Sequence, residues 1–371
     1  MVRRCRVSVR RAALHSSIVP SLRRDAGFGV CCAEIARQHN AEWAGRIGVP
    51  YRICTHAEAG DITEQLVELG RAAFAEYEGA PTMDAASKRW FLSRPGCKPS
   101  RCLVALDGDS VVSGVIVTVQ NVQLGGELLR CGIVDSVATH PAHQRKGLAR
   151  RLMDRAHEAM QEDGVDAALL YTNPAGHAYR FYEKLGYVTR AQLVLMAGPR
   201  PSGAPPGGAR QMRPDEGVHV RELVNAEYAE HDGFAPIDEA LWRWHYIQRP
   251  TGRPARTCVL ERDDGIAAAA TFGEMEMLLA GRPRRLSVAF DLAARTCGTG
   301  PALGLLCAAP TEAVALLLDE RAPESEACLA MGMQRHVGEV AMVLPFSERA
   351  RAALEQEARI WYVMVESVVG V

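Results

Sequence analysis

Apolar residues recur along this chain at two spacings, and the switches between them mark out its elements. Alternating or short continuous apolar runs predict strands at Tyr51–Thr55, Arg101–Leu106, Ser110–Gln120, Glu127–Thr139, Ala167–Thr172 and Tyr187–Met196. Ile62, Leu66, Leu69, Ala73 and Phe74 share one helical face and place a helix over Ile62–Glu76. Further helices are expected around Ala33–Ala44, at Met83–Leu92, at Leu148–Asp163 closed by Gly164, and at Ala175–Leu185 with Gly186 as its C′ residue. Asp107-Gly108-Asp109 joins two strands as a hairpin. An antiparallel meander followed by a β-α-β unit predicts an α+β fold around a mixed sheet.

Past this first set, Ala197-Gly198-Pro199-Arg200-Pro201-Ser202-Gly203-Ala204-Pro205-Pro206-Gly207-Gly208 is too rich in proline and glycine for helix or strand, so residues 198–209 read as a linker. Beyond it an earlier ending returns. Leu185-Gly186-Tyr187 running into Gln192–Met196 is echoed, about 146 residues later, by Met331-Gly332-Met333 running into Val340–Leu344. A chain of 371 residues exceeds one module of about 100–200 residues. Two domains are therefore expected, residues 49–197 and 210–371, with one module used twice.

Residues 1–48 form a basic extension expected to be disordered. Seven arginines and no acid in the first 24 residues also fit a targeting presequence, but arginine outnumbers lysine throughout, which favours a disordered extension or a misplaced start codon. The net charge of −1 argues against bulk capture of nucleic acid or an anionic membrane. No apolar run approaches the ~18–20 residues of a membrane span, since Gly304–Ala309 stops at Pro310. The eleven cysteines include no C-x-x-C spacing, so neither a metal site nor a disulfide framework is expected, and a reducing cytoplasm is the simplest home.

The chemistry concentrates between Ile133 and Tyr187. A strand runs into Gln144-Arg145-Lys146-Gly147-Leu148-Ala149-Arg150, and the helix that follows presents backbone N–H groups with no intrahelical partner. Such a cup suits a pyrophosphate: Gly147 permits close approach, Ala149 keeps the next turn thin, and the basic side chains add charge.

This loop resembles the R/Q-x-x-G-x-G/A acetyl-CoA loop of the Gcn5-related N-acetyltransferase (GNAT) superfamily. Ala178-Tyr179-Arg180-Phe181-Tyr182-Glu183-Lys184-Leu185-Gly186-Tyr187 resembles its A-x-x-F-Y-x-x-x-G-F segment, in the family's order. The resemblance, strongest over Tyr51–Met196, implies a GNAT fold with acetyl-CoA as co-substrate and no metal. It implies transfer of acetyl to a primary amine: a small amine, an aminoglycoside-like polyamine or a protein lysine. Cofactor contacts are carried over to Val137, Thr139, Gln144, Arg145, Lys146, Gly147, Leu148, Ala149 and Arg150. The family's Asn stands three residues before the Ala, whereas Asn173 stands five before Ala178, so its pantetheine contact is carried over out of register.

Tyr182 stands where the superfamily places its general acid, with Tyr179 as a lesser alternative and a core tyrosine as the bland reading. Asp135 lies nine residues before Gln144, the spacing of the base carboxylate in the histone-acetyltransferase branch; a structural aspartate is equally compatible. Period-two alternation from Asp135 would put Val137 and Thr139 on its face, and a backbone N–H between them is expected to meet the thioester carbonyl. His140 and His143 read as solvated loop residues.

In the second half, Arg295-Thr296-Cys297-Gly298-Thr299-Gly300 spells R-x-x-G-x-G, but Cys328 stands where Tyr182 does, so this copy is read as degenerate. The plan resembles the enhanced intracellular survival (Eis) type of aminoglycoside acetyltransferases without their sterol-carrier-like domain, relatives that often form homo-oligomers. Glu227, Tyr228, Glu230, His231, Asp232 and their neighbours to Tyr246 form either a cation pocket or a solvated helix whose core stripe is Leu241, Trp244 and Ile247. Two further readings stay open: a non-catalytic acyl-CoA sensor or scaffold, and catalysis at Arg295–Gly300.

Overall fold

The computed structural model describes residues 51–75, 83–279, 282–295 and 299–369. The helix expected at Ala33–Ala44 and the extension of residues 1–48 lie outside them. Twelve strands succeed one another: β1 Arg52–Thr55, β2 Leu103–Asp107, β3 Ser110–Leu124, β4 Glu127–Thr139, β5 Ala167–Thr172, β6 Val188–Pro199, β7 Ala209–Gln211, β8 Ala255–Arg262, β9 Gly265–Leu279, β10 Arg282–Ala294, β11 Ala313–Asp319 and β12 Gln334–Pro345. They join in one sheet, ordered β1-β2-β3-β4-β5-β12-β6-β11-β10-β9-β8-β7.

Read inward from either edge, β1 to β5 and β7 to β11 follow the same plan, and at the centre β6 and β12 have changed places. The registers agree: Ala167 of β5 faces Pro345 of β12, and Ala313 of β11 faces Pro199 of β6. The chain boundary near residue 200 is therefore no boundary in the sheet. Each twelve-residue exchanged strand follows a glycine with positive φ, Gly186 (93°) and Gly332 (84°).

The stretch Ala197–Pro199, expected to be linker, completes β6 and pairs with Ala313–Ala315. Pro199 ends the strand, where a missing N–H does little harm, and Gly198 leaves room for Met333, whose Cα lies 3.0 Å from where a Cβ would sit.

Helices cover both faces: α1 Thr63–Ala73, α2 Ala85–Leu92, α3 Leu148–Glu162, α4 His177–Lys184 and α5 Gly217–Tyr228. Asp84 starts α2 by accepting from Ser87 N at 2.7 Å. In β4, Gly132 faces α3, where a Cβ would lie 2.1 Å from Met160 Sδ, while Leu129, Cys131 and Ile133 face the central core with Trp361 and Val363.

Two tryptophans mark the centre of the repeat. Trp90 at the end of α2 stacks on Trp244 (ring centroids 4.6 Å, 7° between planes), and each indole N–H donates to the other's backbone carbonyl at 3.1 and 2.8 Å. Arg94 lies over the Trp244 ring and Arg249 over that of Trp90. The chain end crosses this pair: Ser367 Oγ accepts from Arg94 at 2.8 Å and Glu366 from Arg249 at 2.5 Å. Trp244 sits in a turn of π-helix over Arg243–Ile247, whose extra residue turns Ile247 out to solvent (64 % exposed) and buries Trp242, Trp244 and Tyr246. The expected Leu241–Trp244–Ile247 stripe is thereby corrected.

Trp244→Ala should cost about 3–5 kcal/mol in urea denaturation, as for a large buried ring. A cost below about 1 kcal/mol would contradict the central place given to the pair.

Candidate functional site

The site is built where β4 leaves β5. Asp135 faces Ile116 on β3 and Ala138 faces Gly114, so β4 carries one extra residue between them, and Ser136 takes a φ of 52°. Pairing of β4 with β5 covers only Cys131–Ile133. Beyond it the strands part. On the other side β4 remains bonded to β3, since His140 N donates to Val112 O at 2.9 Å. Alternation therefore turns the backbone N–H and C=O of Val137 and Thr139 towards the opening.

The bulge also corrects the expected alternation. Ala138, not Thr139, shares the α1 side with the Asp135 partner Ile116, packing with Leu66 and Leu69. Thr139 Oγ1 instead bonds Ser113 Oγ at 2.8 Å on the other face.

From Thr139 the chain makes a 3-10 turn at Pro141–His143 and then the bend that starts α3. Arg145 has φ 61° and Gly147 φ 76°. The first helical bond is Arg151 N to Gly147 O at 3.1 Å, and no side chain caps the helix, so the amides of Leu148, Ala149 and Arg150 face outward together. Among the described residues nothing lies within 4 Å of where a Gly147 Cβ would be, and Gln144, Arg145, Lys146, Gly147 and Arg150 are exposed, while Leu148 is buried and anchors the helix. An open, positively lined helix start of this kind takes an anion. Gln144 Nε2 reaches back to Thr139 O at 3.3 Å, Lys146 Nζ donates to Tyr51 Oη at 2.9 Å, and Arg150 holds Asp154. His143, expected in solvent, is buried with Nδ1 2.9 Å from the same Tyr51 hydroxyl, because the 3-10 turn folds it under the loop.

Asp135 is buried on the face opposite α3. Its carboxyl pKa rises to about 6, chiefly through burial and partly offset by Arg94, whose Nη1 lies 3.8 Å away. Among the described residues its Oδ2 has no hydrogen-bond partner. Tyr182 lies on α4, on the α3 side, with its ring against Tyr187, which bonds His157 of α3 at 2.9 Å. Burial, with Glu339 nearby, pushes the Tyr182 phenol well above its ordinary value, so it keeps its proton. Tyr182 and Asp135 thus flank the parted strands from opposite faces. Asn173 lies at the end of β5 with Oδ1 accepting from Ala175 N at 2.8 Å, a turn-stabilising bond. Tyr179 is engaged with Thr189 at the surface.

The second half repeats the bulge and changes its surroundings. Asp291 of β10 has φ 52° in the place of Ser136, and β10 pairs with β11 only over Ser287–Ala289. Its opening is occupied: Glu227 of α5 accepts from Ala294 N at 3.2 Å and Tyr228 Oη donates to Leu292 O at 2.8 Å, the counterparts of Thr139 and Val137. The Asp291 carboxylate takes the hydroxyls of Tyr246 and Tyr362. Residues 296–298 of the Arg295–Gly300 loop lie outside the described residues, and the helix after it spans only Gly300–Leu303, against fifteen residues in α3. Cys328 is buried in the core, its thiol raised to about 11 by burial and nearby Glu324.

Residues 56–189 match the acetyltransferase (GNAT) domain family. No curated protein matches the chain. Its fold is that of a GCN5-related N-acetyltransferase from Anabaena variabilis (TM-score 0.58, 14% identity, 79% of this chain and 72% of that one) and a probable N-acyltransferase from Enterococcus faecalis (0.57, 13%, 80% and 72%). It is also that of the Saccharomyces cerevisiae N-myristoyltransferase with bound myristoyl-CoA (0.62, 11%, 81% and 80%). Family match and fold together support an acyl-CoA-dependent acyltransferase.

Sequence reading missed Arg94, Lys88 and Ser367, which converge on Asp135. One signal was available: Trp90 leads to Arg94-Pro95 and Trp244 to Arg249-Pro250, the second spacing longer by the one residue that the π turn adds.

Gly147→Val should weaken CoA binding by about a hundredfold in calorimetry, roughly 2.7 kcal/mol, because a β-branched residue resists this φ and crowds the amides. Unchanged affinity would remove the bend from the site.

Proposed function

We propose that the chain transfers an acetyl group from acetyl-CoA to an amine, in the cytoplasm, at the opening between β4 and β5. The observation that carries this is the contrast between the two openings: Val137 and Thr139 turn their backbone groups to an open edge leading to the Gly147 bend, whereas Glu227 and Tyr228 fill the matching edge of β10. The amides of Leu148 to Arg150 take the diphosphate, the edge at Val137 and Thr139 takes the pantetheine arm, and an N–H there meets the thioester carbonyl.

The amine approaches from the Asp135 face. At pH 7 an alkylamine of pKa about 10.4 is neutral only about once in a thousand molecules, so a proton must be taken from the ammonium before its nitrogen can attack carbon. Asp135 accepts it. On the α3 side Tyr182 gives its proton to the departing sulfur as the C–S bond breaks, and the second proton lost by the nitrogen on forming the C–N bond restores the phenol by way of solvent. The filled edge and the short helix of the second half favour this reading over catalysis at Arg295–Gly300. They also favour a single CoA per chain. The buried carboxyl and phenol on either side of the opening favour transfer over a sensor that only holds CoA.

An amine screen following thiol release tests the activity, and CoA-dependent thermal stabilisation without turnover on any amine would return the reading to a sensor. Tyr182→Phe should lower kcat by about a hundredfold or more at neutral pH; an unchanged rate takes Tyr182 out of the mechanism. As a base, Asp135 works only when deprotonated, so kcat should climb as pH rises through about 6. That limb should vanish in Asp135→Asn, and a limb that persists there belongs to another group.

A further inference from the structure

Two thiols close to the Asp135 face take no part in the transfer. Cys97 and Cys102 are free, and their sulfurs lie 3.8 Å apart. Cys102 packs with Ile116, the β3 partner of Asp135. Both backbones are pinned: Cys97 bridges Thr118 of β3, and Cys102 O accepts from His56 N at 2.9 Å. The fold therefore keeps the two side chains together.

Both thiols line a pocket of about 310 Å³, whose apolar wall includes Ile62 and Leu66. A water needs only roughly 15 Å³, so a small oxidant enters with room to spare. Gly60 and Pro99, which also line the pocket, are exposed, and it opens to solvent through them.

The two sulfurs are not equivalent. Cys97 is half-buried, whereas Cys102 is wholly buried. Donation from the Cys102 S–H lowers the pKa of the Cys97 thiol, while the same contact, with burial, raises that of Cys102. A more acidic, accessible thiol touching a second, sheltered one is the arrangement in which the first is attacked by oxidant and the second resolves it.

We infer that Cys97 and Cys102 are a modification site, a dithiol that a peroxide closes to a disulfide and a thiol reductant reopens. Cys97, as thiolate, attacks one peroxide oxygen. The O–O bond breaks, and the departing hydroxide takes up the proton that Cys97 released, leaving water and a sulfenic acid. Cys102 then attacks the Cys97 sulfur, the S–O bond breaks, and hydroxide leaves as water with the Cys102 proton. The thiols lose two electrons and one hydrogen peroxide becomes two waters. Closure brings the sulfurs from 3.8 Å to about 2.05 Å. Cys97 N also closes a turn on Arg94 O at 2.9 Å, and Arg94 faces Asp135 at 3.8 Å, so the new bond is made one turn from that charge. A disulfide made by peroxide and reopened by reductant suits a reducing compartment, where such bonds are transient.

The test is peptide mapping of the full chain after a few equivalents of hydrogen peroxide. Trypsin cuts at Arg101, between the two cysteines, so the disulfide should appear as two joined peptides, two hydrogens lighter, that dithiothreitol parts. The Cys97 thiol should be lost about tenfold faster or more than that of Cys131, which burial pushes up to about 12. In Cys102→Ala, Cys97 should stop at the sulfenic acid and be trapped by dimedone. Survival of both thiols, Cys97 joined to another cysteine, loss no faster than at Cys131, or an untrapped Cys97 in the variant each overturns the proposal. The mapping needs no turnover, so its result stands apart from the transfer reading.

Discussion

One extra residue in a strand governs this site. Between Asp135 and Ala138 β4 is longer than its partner β3, and the chain absorbs the difference by putting Ser136 at positive φ. From there β4 stays with β3 and cannot stay with β5. That loss of pairing exposes a backbone edge in the middle of a twelve-stranded sheet, where exposed backbone polar groups are otherwise rare. Everything assigned to function lies along that edge or at its ends: the Gly147 bend beyond Thr139, the buried carboxyl of Asp135 on one face, and Tyr182 on the other.

In the second half an edge of the same kind is satisfied from within the chain. The same bulge recurs at Asp291 and the same parting of strands follows, but Glu227 and Tyr228 satisfy the freed groups from within. An internal partner and a bound coenzyme are alternative answers to one hydrogen-bonding requirement. The exchange of β6 and β12 makes the halves interdependent, and the chain end ties them further. Its Tyr362 and Glu366 bind groups of the second half, while Ser367 holds Arg94 beside Asp135. The face of the first half that carries Asp135 is therefore completed by the segment around Ser367.

Much of this was legible in the sequence where one segment decides the outcome. Glu127–Thr139 and Ala167–Thr172 are strands with the expected ends, because their apolar runs are bounded by turn residues. The Gly147 bend was legible because only glycine readily takes its φ. What depends on two segments was not. The bulge arises from the register of β4 against β3, so alternation carried past Asp135 put Thr139 on the wrong face. β6 and β12 have the same apolar character, and nothing local says that they exchange. Lys88 and Arg94 come to the neighbourhood of Asp135 from one stretch and Ser367 from another far along the chain, and as single residues each looked like surface or tail.

The most direct test of the account is a crystal structure with a non-transferable acetyl-CoA analogue. The account predicts one coenzyme per chain, its diphosphate on the amides of Leu148 to Arg150, its arm along Val137 and Thr139, and its sulfur within reach of the Tyr182 hydroxyl. A coenzyme lying along Leu292 and Ala294 with Glu227 and Tyr228 displaced, or one that leaves the β4 edge bare, would contradict it.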